Sequence, residues 1–383
     1  EFEGEWEKKT IGEISTKKNG PFCSVLHAED YVNEGMPIVT TEHFKNGNLP
    51  LSKNGIPQVS DDDYYRLRGY KLEKDDIVFS RVGSIDINAH VEQSQQGWLF
   101  SGRVLRVRPI KSVNSLCLHY ILSTESVKRS IRNRAVGQTM PSINTPILSN
   151  TKINIPQSVV EQKKIANLLA LLDKRIAIQN KIIEDLKKLK CAIIEKLYAE
   201  VKGTKYSYRQ LFNIINERNK QLEYSNVLSA SQEKGMVSRD DLNLDIQFER
   251  SNINTYKIVK NGDYVIHLRS FQGGFAFSEK TGVCSPAYTI LRPNGLLVYG
   301  YLSYYFTSRE FIQSLIIVTY GIRDGRSINV DEWLDMKVVI PSKEQQSHIV
   351  NVIKSIENKI KNEETYSNCL LKQKQYLLRQ MFI

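Results

Sequence analysis

The chain carries one long pattern twice, and the two copies lie half a chain apart. SIN at 142–144 is followed by TPILSNTKINIPQSVVEQKKIANLLALLDKRI, and SIN at 327–329 by VDEWLDMKVVIPSKEQQSHIVNVIKSIENKI. Pro156 and Pro341 are 185 apart, and after a one-residue slip Ile165 and Ile349 are 184 apart. Solenoid repeats run roughly 20–50 residues, so this period is far too long for one. It describes a whole domain plus a long helix, duplicated. A chain built this way is pseudo-symmetric and can grip two sites on one linear partner.

The helices are legible from their spacing. Gly and Pro vanish between Gln157 and Lys202. Within that stretch Ile165, Leu169, Leu172, Ile176, Gln179, Ile183, Leu186, Lys190, Ile193 and Leu197 step by four and three in turn. This is a heptad seam with two polar interruptions, and other polar groups such as Glu184, Lys187 and Lys188 fill the remaining faces. It predicts a helix from Glu161 to Tyr198, about 57 Å long at ~1.5 Å per residue. The second seam falls at Ile349, Ile353, Ile356, Ile360, Glu363, Ser367, Leu370, Lys374, Leu377 and Met381, each 184 beyond its counterpart. Two such helices each need a partner for the seam. Packing on each other, antiparallel, gives a pseudo-twofold axis; the alternative is that each packs on its own domain.

The segments between the helices read as mixed, strand-rich domains. VLRVRP at 104–109 alternates apolar and basic residues, and DIVFS at 76–80 and TKINIP at 151–156 read similarly. LCLHYILSTESVKRSIRN at 116–133 has helical spacing with a basic end. Turns are punctuated at Asn46-Gly47, Asn54-Gly55 and Gly83-Ser84. Lys202-Gly203-Thr204 ends the first helix, and the second domain echoes the first: GDYVIHLRS at 262–270 matches DDIVFSRVGS at 75–84, and LVYGYLSYYFTSREFIQSLI at 297–316 takes the place of 116–133. The expected architecture is α+β: domain 1–156, helix 157–202, domain 203–341 and helix 342–383, with the two helices as an antiparallel coiled coil.

Charge bounds the partner. Among 383 residues Lys+Arg number 53 against 42 Asp+Glu, a net charge of +11. That excess points toward a polyanion, of which nucleic acid is the commonest. Five cysteines (Cys23, Cys117, Cys191, Cys284 and Cys369) have no C-x-x-C spacing, so they are expected to be reduced cytosolic thiols rather than zinc ligands. No apolar run approaches the roughly 20 residues that span a bilayer, and no signal-peptide pattern is present. The expected location is the cytoplasm. The chain opens at Glu1 rather than Met, from which further sequence upstream is expected.

Taken together these features resemble the specificity subunit (HsdS) of type I restriction–modification enzymes, over the whole chain. A Trp-plus-basic opening (EWEKKTIGEI at 5–14), a GD-type strand in each half, an IP followed by an EQ- or QQ-containing helix start in each half, and the domain–helix–domain–helix order carry the resemblance. Gln345-Gln346 stands where the first half has Glu161-Gln162, a small departure. The resemblance implies two target recognition domains, each reading half of a split, asymmetric sequence in double-stranded DNA. It implies that the helices set the spacing and dock two methyltransferase subunits, with restriction subunits joining through that core. S-adenosylmethionine, ATP and Mg2+ are then expected on the partner subunits, with no cofactor on this chain. The competing reading is a basic coiled-coil scaffold without sequence preference.

Catalytic motifs are missing. The closest match to the D/N/S-P-P-Y/F/W tetrad of an adenine methyltransferase is Ser285-Pro286-Ala287-Tyr288, with Ala in place of the second Pro; a strand entry shaped by Pro explains it equally well. Gly273-Gly274 stands alone where S-adenosylmethionine would need F-x-G-x-G, and no G-x-x-x-x-G-K-[ST] phosphate loop occurs. Asp335-Met336-Lys337 has nuclease-like D-x-K spacing but sits where the repeat predicts a structural strand. The six histidines lack ligand spacing, so no metal is expected. Tyr304-Tyr305 suits either base stacking or a packed helix flank.

The chain therefore reads as a binding module and not an enzyme, with loop side chains on bases and Lys/Arg on phosphates. Three surfaces per domain are the candidates. After the first strands come Thr40, Thr41 and Lys45, then Ser231 and Gln232. After the GD strand come Arg81 and Ser84, then Arg269 and Gln272. Before SIN come Arg132, Arg134, Gln138 and Thr139, then Arg323 and Arg326. Each is equally a solvated surface group when taken alone.

Overall fold

The structure, a computed structural model, describes residues 5–21, 26, 28–137, 139–231, 234–239, 250–267, 274–320 and 327–382. It divides into two compact units, Glu1–Gln179 with Tyr366–Ile383, and Asn180–Thr365.

In the first unit the strand Trp6–Thr10 pairs antiparallel with Lys152–Pro156, so the two ends of the segment between them are stitched together. A four-stranded antiparallel sheet runs in the order Ser15–Asn19, Val104–Pro109, Ile77–Ser80, Asn88–His90. Period-two alternation sorts its side chains. Ile77, Phe79, Leu105 and Val107 face one core, while Val78, Ala89 and Val104 face another. The helix expected over 116–133 is two helices, Ser115–Leu122 and Glu125–Arg132. The break has a local cause. Ser123 Oγ donates to the His119 carbonyl at 2.9 Å and Thr124 Oγ1 to the Ile121 carbonyl at 2.7 Å, so hydroxyls end the first helix and extended Thr124 opens the second.

The second unit repeats this plan. Thr204–Ser207 pairs with Lys337–Ile340, and the sheet order is Phe212–Ile215, Thr289–Pro293, Tyr264–Ile266, Phe275–Phe277. The filling differs. Where the first core is mainly aliphatic, the second is aromatic, with Tyr208 stacked on Trp333 at 4.3 Å and Phe212, Phe275, Phe306 and Phe311 around them.

The repeated motifs prove to be joints. In the SIN triplets, Asn144 and Asn329 are N-caps whose side chains accept from Ile147 and Glu332 amides. In the EQ and QQ pairs, Gln162 donates to the Pro156 carbonyl at 2.8 Å and accepts from the Asn114 amide at 2.7 Å. Gln346 does the same with the Pro341 carbonyl (3.0 Å) and the Val298 amide (2.8 Å). In the GD-type strands, buried Asp76 takes a bidentate grip from Arg108 (2.7 and 2.8 Å), and buried Asp263 one from Arg292 (2.8 and 2.9 Å). The residue ahead of each acid turns left-handed, Gly262 at φ 94° and Asp75 at φ 69°, a conformation that favours glycine.

The long helices run Val159–Ala199, slightly longer than the expected Glu161–Tyr198, and Lys343–Met381, within the expected 342–383. All twenty seam positions are buried or half-buried, including the polar ones. In the first unit Lys374 Nζ lies 2.5 Å from Asp173 and Arg175 sits 5.4 Å over the Tyr366 ring. In the second, Lys187 meets Glu364 at 2.7 Å and Lys190 meets Glu357 at 3.3 Å. One number rises as the other falls, so the helices pack antiparallel. They also dock on the domains: Ile165, Ala166 and Leu169 enter the first core with Phe382, and Ile194, Tyr198, Ile349 and Ile353 enter the second. Helix pairing and domain packing, set against each other as alternatives from the sequence, are both present.

Buried His119 gives the first unit an acid weakness. Burial holds its imidazole down at about 3, and its Nδ1 bonds Asn88 Oδ1 at 2.7 Å. The unfolded chain binds that proton near pH 6.5, so this contribution is complete above pH 6.5 and is lost as pH falls toward 3. Each pH unit in that window costs at most about 1.4 kcal/mol. We expect urea midpoints of the full chain to fall between pH 6.5 and 5, and His119→Gln to flatten that slope. An unchanged slope in the variant would refute the assignment.

Candidate nucleic-acid interface

In the first unit part of each of two expected surfaces, Thr40–Thr41 and Arg81, comes together, whereas Lys45 lines a separate cleft and Arg132 and Arg134 are held elsewhere. The Ser101 amide donates to the Val39 carbonyl at 2.8 Å, placing the 101–103 turn beside Thr40 and Thr41. Arg81 donates its guanidinium to the Gly102 carbonyl at 3.3 Å and its amide to the Arg103 carbonyl at 3.0 Å. The Gly83 amide reaches the Pro141 carbonyl and the Ile143 amide reaches the Arg81 carbonyl, both at 2.9 Å. Thr40, Thr41 and Arg81 therefore lie beside the 101–103 turn, and the 139–142 loop joins the far side of the 81–84 loop. A cleft of about 300 Å³ opens there between Thr40, Thr41, Glu42, Ser101, Gly102 and Arg103.

The residues differ in what they can offer a polyanion. Thr40 is half-buried, with its amide donating to His43 Nδ1 at 3.0 Å, and Thr41 opens the short helix Thr41–Phe44. Lys45 is exposed but paired with Glu42. Arg81 is half-buried against Gly102; Ser84 and Thr139 are exposed. Arg132 binds Asp86 at 2.5 Å and also Glu125, so its charge is already compensated inside the domain. Arg134 donates to the carbonyls of Ser130 (3.2 Å) and Asn150 (3.0 Å), tying a helix end to the loop before the next strand. Arg103, absent from the expected set, is exposed on the cleft with no ion pair among the described residues. A lone Arg in RVLRVR reads as the edge of a strand; only the Arg81–Gly102 contact brings it to the patch.

In the second unit Ser231 is half-buried at the end of a hairpin strand, its Oγ accepting from the Lys234 amide at 3.3 Å. Gln232, Arg269, Gln272, Arg323 and Arg326, and Gln138 of the first unit, lie outside the described residues.

The motifs that resemble catalytic ones have structural duties. Ser285–Tyr288 forms a turn in which the Tyr288 amide donates to the Ser285 carbonyl at 3.1 Å, between strands Gly282–Cys284 and Thr289–Pro293. Asp335 accepts from Arg209 at 2.8 Å, and Lys337 begins a strand. Burial pushes the Cys117 and Cys284 thiols up to about 12, which disfavours thiolate chemistry. Among the described residues no cluster of His, Cys, Asp and Glu is arranged to hold a metal, and no helix is long and apolar enough to cross a membrane. Tyr304 is a packed helix flank whose hydroxyl donates to Glu357 at 2.8 Å.

The geometry agrees with what the chain is similar to. Residues 3–188 match the family model described as the type I restriction modification DNA specificity domain. A relative in Methanocaldococcus jannaschii, provisionally named type I restriction enzyme MjaX specificity subunit, is 29% identical over 52% of this chain and 47% of its own length. The MjaVIII specificity subunit of the same organism is 33% identical over 23% of this chain and 20% of its own. The chain thus spans under half the length of either curated relative. Among solved structures, the S subunit of a type I restriction–modification system from M. genitalium superposes with a TM-score of 0.56 at 14% identity, over 100% of this chain and 97% of that one. A structure reported for complex assembly and conformational transition of the type I R-M system gives 0.61 at 13% identity, over 99% and 97%. At these identities the structures establish the shared fold over the full chain. The first half thus carries the match to the type I restriction modification DNA specificity domain and the second half repeats the same framework, which makes the chain similar to type I restriction–modification specificity subunits.

Proposed function

We propose that this chain is the DNA-specificity subunit of a type I restriction–modification assembly. It reads a bipartite, asymmetric target in double-stranded DNA and directs methyltransferase and restriction subunits to it. The observation that carries this is the duplicated framework: two sheets of one strand order, each with its own core filling and its own loop chemistry, on a chain of net charge +11. That is what two readers of different bases on one scaffold require. The helices carry the pairing seam, and a pseudo-twofold arrangement gives each of two methyltransferase subunits an equivalent place to dock, with restriction subunits joining through that core. Chemistry then belongs to the partners, which hold S-adenosylmethionine, ATP and Mg2+; this chain supplies recognition, in the cytoplasm. Nothing in the geometry favours a scaffold without sequence preference.

Expression with and without the cognate methyltransferase subunit, followed by genomic mapping of methyladenine, tests this. A single split motif is expected only with both proteins. Methylation by the chain alone, or none with both, would overturn the reading. The patch makes a finer prediction. Arg81→Ala with Arg103→Ala should weaken DNA binding by the assembled complex and flatten log K against log salt by about 0.9 for each phosphate no longer neutralised. Arg132→Ala should leave that slope unchanged, because Asp86 and Glu125 already hold its charge. Salt titration of binding by both variants decides it; equal slopes for both would show that the patch is misplaced.

A further inference from the structure

Two three-residue clusters stand at matching places in the halves. In the first unit Tyr120 Oη donates to Asp173 Oδ2 at 2.8 Å, and Lys374 Nζ lies 2.5 Å from Asp173 Oδ1. In the second, Tyr304 Oη donates to Glu357 Oε2 at 2.8 Å, and Lys190 Nζ lies 3.3 Å from Glu357 Oε1. Tyr304 and Glu357 each lie 184 beyond their counterparts, and Lys374 lies 184 beyond Lys190. Each cluster takes a tyrosine from a recognition domain, an acid from the helix that follows that domain, and a lysine from the other long helix.

Stability does not account for this arrangement. The lysines and acids keep between 26% and 37% of their side-chain exposure, a setting in which ion pairs contribute little. Both lysines occupy seam positions, where an apolar residue would pack better; a polar group in a seam fixes register and orientation at a cost in stability. The two cores differ, aliphatic in the first unit and aromatic in the second, yet both units carry the cluster. Burial and the adjacent carboxylate hold the Tyr120 and Tyr304 hydroxyls protonated, so both remain donors.

We propose that these clusters are positioning locks that hold each recognition domain at one angle on its helix pair and so restrict the spacer length between half-sites that the assembly accepts. The inference rests on the specificity reading above. DNA rises roughly 3.4 Å per base pair, so a domain free to tilt by that much at the DNA accepts the neighbouring spacer. Misplacement by 1 Å alone costs on the order of 100-fold in rate at a reacting site, which makes the accepted spacer a sensitive readout.

The experiment is methylome sequencing of cells carrying the full chain and its methyltransferase subunit. Wild type should give one split motif with one spacer. Asp173→Asn with Glu357→Gln should keep both half-sites and raise methylation at spacers one base pair longer or shorter, relative to the native spacer, by about tenfold. Asp173→Glu, which installs the other half's acid, should keep the wild-type profile. Tyr120→Phe keeps the packed ring and replaces the double variant if that fails to fold. A uniform fall in methylation with an unchanged spacer ratio, or no change, would overturn the lock. A wild-type chain yielding no split motif would overturn the specificity reading itself.

Discussion

Replacing Asp76 or Asp263 with alanine should cost about 3–5 kcal/mol, the range for breaking a buried ion pair from one side. That is a large part of the roughly 5–15 kcal/mol by which a domain is stable. Each carboxylate is almost wholly buried beneath its sheet and satisfied three ways. It takes two guanidinium bonds from the neighbouring strand and a third from a backbone amide three residues upstream, Glu73 or Lys260, both at 2.8 Å. Removing it strands an amide in the turn and an arginine that is two-thirds covered, Arg292 losing its carboxylate and Arg108 keeping only the exposed Glu73. Urea unfolding of the full chain measures the loss, and each variant should destabilise its own unit, giving an early transition followed by the native one. Replacing both members of a pair with apolar residues of similar volume should recover much of the loss, since the penalty lies in the uncompensated partner. A midpoint shift below about 1 kcal/mol for the single variants would mean that the pair is ornamental.

Exchanging residues 203–341 for the corresponding unit of a relative should change one half of the methylated motif completely and leave the other half unaltered. The ends of this segment are side by side, because Thr204–Ser207 pairs with Lys337–Ile340. Gly203 lies so close to the Ile340 carbonyl that a Cβ there would sit 2.2 Å from the oxygen, so the donor must keep glycine at that junction. Tyr304 and the Val298 amide bond helix residues outside the segment, and a donor lacking these bonds should dock poorly. Methylome sequencing of cells carrying the hybrid reads the result. A hybrid that altered both half-sites with its helices intact would contradict independent reading by the two units.

The sequence by itself determined the parts governed by local, periodic forces. A seam repeating every three and four residues admits one reading, a long helix needing an apolar partner, and the helices end within two residues of the limits predicted from Glu161 and Tyr198. Alternation along VLRVRP marked a strand, because the pleat depends on residues two positions apart; that Asn144 and Asn329 of the SIN triplets cap helices came from the structure. The 184-residue period carried the duplication of the fold.

Tertiary structure alone decided the rest. Nothing periodic joins Arg81 to Gly102, Tyr120 to Asp173 and Lys374, or Arg132 to Asp86. Those contacts decide that Lys190 and Lys374, which looked like interruptions of the seam, are paired. They decide that Arg132 is neutralised, and that Arg103 belongs to the patch. A side chain's charge is written in the sequence, but whether that charge reaches solvent depends on which distant carboxylate the fold brings within about 4 Å. That distance is set by sheet order and helix docking, which no local pattern encodes.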